Sequence, residues 1–324
     1  MTRAPVGLPA DSVGEGRGDG SRAVAIGGGH GLSRCLRSLT YIVDHVTAVV
    51  TTADDGGSSG RLRRQLGVLP PGDLRMALAA LSPRGDLVRL LQYRFKSGEL
   101  QGHSIGNLMI VAAADLDDGD AVAGLDFIAS LLEIRGQVLP CTPVPVQLCG
   151  QAERREITGQ VAIARSRGVE RVWLEPQGPP GTPEAVDAIA AADLVALGPG
   201  SLFTSIIPNL LVPAIRAAVV ASECPVVYIC NVREQRGETE GLDLPAHLTA
   251  LLDHAPGLAL SAIVAHTGPR PPCEERPLRA DREELAPFTS SVVLTDLLDG
   301  DGGHDPRKLA GALDHLLRRR SQAT

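Results

Sequence analysis

Apolar residues occur along this chain in short blocks, and their spacing switches between the strand period and the helix period. Ala23-Val-Ala-Ile26 is too short for a helix and suits a buried strand. It ends in Gly27-Gly28-Gly29-His30-Gly31, after which Leu32, Cys35, Leu36 and Leu39 recur at helical spacing. A second strand spans 46–52, so the chain opens as β-α-β, the sign of a parallel sheet. Helices are predicted over 76–81, just after the helix-stopping Pro70-Pro71 pair, over 87–95, and from Gly102 through Ala114. From 137 to 163 apolar and polar residues alternate around Pro140, Pro143 and Pro145, which predicts a hairpin or small antiparallel subregion. After 172–174 the α/β rhythm returns, with a helix over 183–192 and a buried strand over 193–197 leading into Gly198-Pro199-Gly200-Ser201. Strands over 226–230, 259–265 and 291–295 and helices over 245–254 and 307–318 complete the pattern. No internal repeat or linker interrupts it. One domain over residues 21–320 is therefore expected, behind a Gly- and Pro-rich disordered tail of residues 1–20.

Composition narrows the function. Hydrophobic residues make up 44% of the chain, enough for a globular core. Aromatic residues are only 2% and the net charge is −7, so neither stacking platforms nor clustered cations favour nucleic acid as a partner. The six cysteines lack zinc-ligand spacing and read as reduced or buried thiols. No apolar run reaches the roughly twenty residues that span a bilayer, and the first residues lack a signal-peptide core, so a cytoplasmic protein without membrane contact is expected.

The chemistry concentrates where strands end. Thr51-Thr-Ala-Asp54-Asp55-Gly-Gly-Ser58-Ser59-Gly-Arg61 follows an apolar strand and offers carboxylates, hydroxyls, close backbone approach and a fixed cation. The same composition also suits a solvated strand-to-helix turn. Open parallel sheets bind ligands outside the carboxyl ends of their strands. Gly27, Gly28, Gly29 and Gly31 can bring a phosphate to the N-terminus of the following helix, with His30 beside it. Leu32 stands where a dinucleotide fingerprint requires its last glycine, so the nicotinamide match is partial. Gly198, Gly200 and Ser201 repeat the strand, glycine loop, helix logic, although Ser201 also reads as a helix cap. Two phosphate cradles suggest a diphosphate. Asp54 and Asp55 suit sugar or ribose hydroxyls, or Mg²⁺ beside phosphates. Further candidates are Asp73 and Arg75, which also read as a mere surface pair, His103 and Asn107 in a glycine-flanked turn, and Asn231 at a strand's carboxyl end. No catalytic nucleophile is identifiable.

Taken together, Ile26-Gly-Gly-Gly-His-Gly-Leu-Ser33, the 51–61 segment, Pro70-Pro-Gly-Asp-Leu-Arg75, Gly102-His-Ser-Ile-Gly-Asn107, Leu197-Gly-Pro-Gly-Ser-Leu-Phe-Thr-Ser-Ile-Ile-Pro-Asn209 and Cys230-Asn231 with Gly237-Glu-Thr239 closely resemble the gluconeogenesis factor family, from about residue 23 to about 310. The resemblance implies a Rossmann-like three-layer sandwich shared with 2-phospho-L-lactate transferase (CofD-like), with a mostly parallel sheet. It implies a cytoplasmic regulator that binds UDP-sugars such as UDP-N-acetylglucosamine, needs no cofactor, and acts in cell morphogenesis during gluconeogenic growth. The family has no established reaction, so a binder leads. The alternative is a transferase using a nucleotide-activated donor, with Mg²⁺ at Asp54 and Asp55. A homodimer is the one protein assembly anticipated. This chain departs from the family at His30, where threonine is usual, and at Gly303, which replaces an arginine before His304 and Asp305 and so removes a guanidinium able to hold phosphate.

Overall fold

The computed structural model describes residues 18–321, so the expected 1–20 tail lies outside the described residues up to position 17. The amides of Gly18 and Gly20 donate to the Asp44 carboxylate at 2.6 and 2.5 Å and tie the start of the described chain to the loop before the second strand. The first half contains β1 (Arg22–Gly27), α1 (Gly29–Leu39), β2 (His45–Val50), α2 (Gly57–Leu66), α3 (Pro71–Leu81), α4 (Gly85–Leu91), α5 (Ile105–Leu116), α6 (Ala121–Leu131) and β3 (Gly136–Pro140). A smaller group follows: β4 (Gln147–Ala152), β5 (Arg155–Thr158), α7 (Gln160–Arg165) and β6 (Val169–Glu175). The α/β order then resumes with α8 (Pro183–Ala190), β7 (Leu194–Leu197), a π-helical turn (Leu202–Ile206) running into α9 (Ile207–Leu210), α10 (Pro213–Val220) and β8 (Val226–Ile229). It ends with α11 (Leu244–His254), β9 (Ala262–His266), α12 (Arg282–Leu285), β10 (Val292–Thr295) and α13 (Pro306–Ser321).

Seven strands form one parallel sheet in the order β10-β9-β8-β7-β1-β2-β3. The chain builds outward from β1 through β2 and β3, then returns to β1's other side and builds away through β7 to β10. The direction of winding therefore reverses between β1 and β7, and such a reversal opens a crevice at the strands' carboxyl ends. Alternation along β1 splits the core into two layers: Ala23 and Ala25 pack with α1, α3 and α13 on one face, while Val24 and Ile26 pack with α8, α9, α10 and α11 on the other. The second sheet, ordered β5-β4-β6 and antiparallel, covers part of that second face through Leu148, Val172 and Leu174. This is the expected α/β three-layer arrangement with its antiparallel subregion.

Several boundaries differ from the sequence expectation, each for a physical reason. The segment 137–163 is not one antiparallel unit: β3 is the parallel edge strand of the main sheet, and the third antiparallel strand is instead β6. The proline-interrupted alternation of that segment resembles a hairpin because β3 is too short to show a buried parallel run. Helix α2 is not predicted by the apolar pattern, because the side it buries consists of Ser58, Ser59 and Gly60 with only Leu62 apolar, which gives no hydrophobic period. Helix α3 starts at Pro71 rather than near Met76, since proline at the first helical position has no amide to lose. Helix α6 went unread, although Asp120 caps it by accepting from the amides of Val122 and Ala123 at 2.8 and 3.1 Å.

Leu36 is fully buried where α1 packs on the sheet, whereas Leu116 at the end of α5 is 82% exposed. Leu36→Ala is expected to cost about 2–5 kcal/mol through lost burial and the cavity left behind, and Leu116→Ala to stay within roughly 0.5 kcal/mol. Urea unfolding midpoints of the two variants check this; equal midpoints would contradict the assignment of α1 to the core.

Candidate functional site

The crevice between β1 and β7 is walled by backbone. Gly27 ends β1 and Gly28 caps α1 without a side-chain bond, so the amides of α1's first turn point into the crevice with the positive end of the helix dipole. Opposite them, the Gly198-Pro199-Gly200 turn leaves β7. The two turns touch: a Cβ on Gly31 would lie 2.3 Å from the Pro199 carbonyl oxygen, so only glycine permits this approach. Asn231, just past β8, holds Gly200 from both sides. Its Oδ1 accepts from the Gly200 amide at 3.1 Å, and its Nδ2 donates to the Gly200 carbonyl at 2.8 Å. Gln235 Nε2 donates to Ser201 Oγ at 2.7 Å, and Asn209 Nδ2 donates to the carbonyls of Gly27 and Ser205 at 3.1 and 2.7 Å. The loops so fixed enclose a cleft of ≈ 340 Å³ lined by His30, Gly31, Gly200 and Asn231 from the expected set.

Of the other lining groups, sequence reasoning missed Arg34 and Arg233; Pro199 and His304 stood in the motifs without a role, and Gln235 opened a polar cluster singled out after the strand ending in Cys230. Arg34 was findable, because it lies four residues after His30 and so shares that face of α1. Its Nη1 donates to the Asp299 carboxylate and, at 3.0 Å, to the His304 carbonyl. A Cβ on Gly303 would stand 3.2 Å from Arg34 Nη2. Arg34 thus brings a guanidinium to the cleft beside Gly303. His30, at the cleft mouth, is held below its usual pKa by lost hydration and by the nearby charges of Arg34 and Arg75. His304 is buried and pushed down to about 4, chiefly by burial, and its Nε2 lies 3.0 Å from the Cys230 carbonyl. Below the second glycine turn, Glu238 is 2% exposed against Ser201, Thr204 and the Leu202 amide, and burial raises it to about 7.

A second polar group adjoins the first. A Cβ on Gly28 would meet Asp73 Oδ2 at 2.5 Å, and the Gly29 amide donates to the Asp73 carboxylate. On the other side, a Cβ on Gly72 would meet Ser59 Oγ at 2.4 Å and Asp54 Oδ2 at 3.0 Å. The acids that face each other beside the glycine turn are therefore Asp54 and Asp73. Asp55 turns away, with Oδ1 accepting from the Val161 amide at 3.0 Å at the start of α7. Burial and the Asp54 charge raise Asp73 to about 7, and burial raises Asp54 although the Gly56 amide and Ser59 donate to it. Among the described residues no group of three or more His, Cys, Asp or Glu side chains is placed to hold a metal. Two under-compensated carboxylates beside the first glycine turn nevertheless fit Mg²⁺, which takes one or two carboxylates and completes its shell with other oxygen ligands and water.

Behind these acids runs a buried chain of hydrogen bonds. Arg75 Nε donates to Asn107 Oδ1 at 2.9 Å, Asn107 Nδ2 donates to Ser58 Oγ at 3.0 Å, and Ser58 Oγ lies 3.0 Å from His103 Nδ1. Because Ser58 already receives from Asn107, its hydroxyl proton is free for Nδ1 of a neutral His103, consistent with the lowered pKa that burial gives this ring. These four residues are all buried, so they brace the site and do not line it. Arg61 is tied at 2.7 Å to the Gln101 carbonyl outside the cleft. The structure thus gathers His30, Gly31, Gly200 and Asn231 on the cleft and Gly28, Gly29, Asp54, Ser59 and Asp73 beside it. Gly27 and Gly198 sit at the strand ends behind the two turns.

Comparison with known proteins shows the family and the fold. The family described as 2-phospho-L-lactate transferase CofD matches residues 23–298. A Mycobacterium tuberculosis protein, provisionally named a gluconeogenesis factor, is 46% identical over 315 residues, covering 91% of this chain and 90% of its own. The gluconeogenesis factor of Listeria monocytogenes is 38% identical over 310 residues, covering 91% and 95%. A crystal structure of a Bacillus halodurans protein superposes with a TM-score of 0.86 at 38% identity, over 90% of this chain and 99% of that one.

Asp73's folded pKa lies above its unfolded value, so the folded state holds the extra proton and stability falls as pH rises from about 4 to about 7. Asp73→Asn keeps an acceptor for the Gly29 amide and removes that loss. Its Tm at pH 7.5 is expected to exceed wild type by at least about 2 °C, the shift that roughly 1 kcal/mol gives a chain of this size, and to match wild type near pH 4. A variant less stable at pH 7.5 would contradict the buried-charge account.

Proposed function

Since the chain belongs to the gluconeogenesis factor family within the wider CofD family, we propose that it is a regulatory binder of a nucleotide sugar, with UDP-N-acetylglucosamine as the ligand of choice. The observation that carries this reading is the pair of glycine turns in van der Waals contact at the β1/β7 reversal, each ending a strand and one opening onto a helix N-terminus whose N-cap residue, Gly28, has no side chain to cover it. The first-turn amides of α1 that Asp73 leaves free and the Arg34 and Arg233 guanidinium groups suit a diphosphate, while the second turn, whose Gly198 and Gly200 amides bond Ile26 and Asn231, closes the other side. Asn231, Asp54 and Asp73 offer acceptors and donors for ribose or sugar hydroxyls. The reading carries with it one nucleotide-binding domain over 21–320, a cytoplasmic location and a role in cell shape during gluconeogenic growth. Among the described residues no single helix is long and apolar enough to cross a membrane.

A second reading rests on the Asp54–Asp73 pair. In a transferase that uses a nucleotide-activated donor, these carboxylates would hold Mg²⁺, which would neutralise charge on the donor phosphates. The chain's own part would be to orient the donor in the cleft. The six cysteines are all free thiols; burial pushes Cys35 to about 12 and Cys141 to about 11, and Cys230 higher still, so these three stay protonated and supply no nucleophile at neutral pH.

Titration calorimetry with UDP-N-acetylglucosamine is expected to give saturable heat that Gly31→Ala weakens at least tenfold. No heat and no thermal shift at millimolar ligand would refute the binder reading. Under the transferase reading, Asp54→Asn abolishes release of nucleoside phosphate from the donor while leaving nucleotide affinity within about twofold; intact release in that variant would refute it.

A further inference from the structure

We propose that Arg34 makes the cleft selective for a diphosphate over a monophosphate, by giving the second phosphoryl group a guanidinium contact beyond the first-turn amides that seat the first. The proposal rests on the cleft being an anion site, as the preceding reading has it. Arg34 lies on the same face of α1 as His30, so the amides of the first turn, the imidazole and the guanidinium follow one another along one wall of the cleft. A monophosphate seated on the first-turn amides is satisfied without Arg34. A diphosphate reaches further along the wall, to the guanidinium.

The position of the guanidinium is built rather than incidental. A cation within the first turns of a helix opposes the helix dipole, and here it also sits beside a histidine whose protonation it disfavours. Asp299 offsets that cost, and Asp299 is itself held by the amides of Asp301 and Gly303, both at 2.8 Å. The side chains of Arg34 and Asp299 are only 20% and 14% exposed. Among the described residues, the guanidinium bonds Asp299 and the His304 carbonyl through Nη1. Nη2 faces Gly303, where the missing side chain leaves it room, since a Cβ there would come within 3.2 Å. The backbone of Gly303 has no positive φ, so the nearest obstacles to a larger residue there are the Arg34 guanidinium and the Asp299 carboxylate, at 3.2–3.4 Å from a Cβ. A side chain at 303 would therefore compete with Arg34 for this part of the cleft.

The test is calorimetry on the full chain with inorganic phosphate, inorganic pyrophosphate and UDP-N-acetylglucosamine, using wild type, Arg34→Ala and the double variant Arg34→Ala/Gly303→Arg. Arg34→Ala is expected to weaken pyrophosphate and UDP-N-acetylglucosamine at least tenfold while changing phosphate less than twofold. The double variant returns a guanidinium from the other wall and is expected to recover wild-type affinity within about threefold. If Arg34→Ala does not fold, the double variant decides alone: folded with near-wild-type affinity supports the proposal, and folded with tenfold weaker binding overturns it. Equal weakening of phosphate and pyrophosphate overturns the selectivity. Wild type that binds pyrophosphate through Arg34 but not UDP-N-acetylglucosamine upholds this proposal and removes the nucleotide-sugar reading. UDP-N-acetylglucosamine binding unchanged by Arg34→Ala does the reverse, and wild type that binds none of the probes removes both.

Discussion

The contact between Gly31 and the Pro199 carbonyl is the constraint on which the rest of the site depends. Two loops leave adjacent parallel strands at the point where the sheet reverses its winding, and they meet backbone to backbone because no side chain stands between them. That approach narrows the crevice until the first turn of α1 and the Gly198–Gly200 turn wall the same small volume. Asn231 and Asn209 then hold the turns through paired and bridging hydrogen bonds, so the loops that present the α1 amides are fixed before any ligand arrives. Preorganised donors of this kind bind an anion without the cost of ordering a loop.

Burial of charge is the price of the arrangement. Asp54, Asp73 and Glu238 are carboxylates whose pKa values rise with burial, and Arg75 is a guanidinium held below its usual range, to about 10, for the same reason. A protein selected only for stability would place apolar residues there, since buried charges without full compensation destabilise. They cluster around the two glycine turns, where titratable groups under strain mark functional positions more often than structural ones. The relay from Arg75 through Asn107 and Ser58 to His103 extends the same logic one layer deeper, locking α2, α3 and α5 together beneath the acids.

Much of this was legible in the sequence, for identifiable reasons. Strands β1, β2, β7 and β8 are short apolar runs that end in glycine, threonine or asparagine, and that punctuation gave both the parallel sheet and the edge at which to look for a ligand. Helix α2 was not legible because its inward face is serine and glycine, and β3 was not because a five-residue parallel edge strand beside prolines resembles a hairpin arm. The pairing of acids was misjudged for a related reason. Adjacent Asp54 and Asp55 suggest a pair, yet neighbours in a turn diverge, and Asp55 went to the α7 amides while Asp73, nineteen positions on from Asp54, took its place. Arg34 carried a signal in its four-residue spacing from His30, but only the fold shows that Gly303 opens the space its guanidinium fills.

The central claim is that the paired glycine turns form the seat of a diphosphate. A crystal structure of the full chain with UDP-N-acetylglucosamine tests it most directly. The account predicts diphosphate density between Gly28–Gly31 and Gly198–Ser201, within hydrogen-bond reach of α1's first amides. Nucleotide bound elsewhere on the molecule, with this cleft filled only by water, would contradict it.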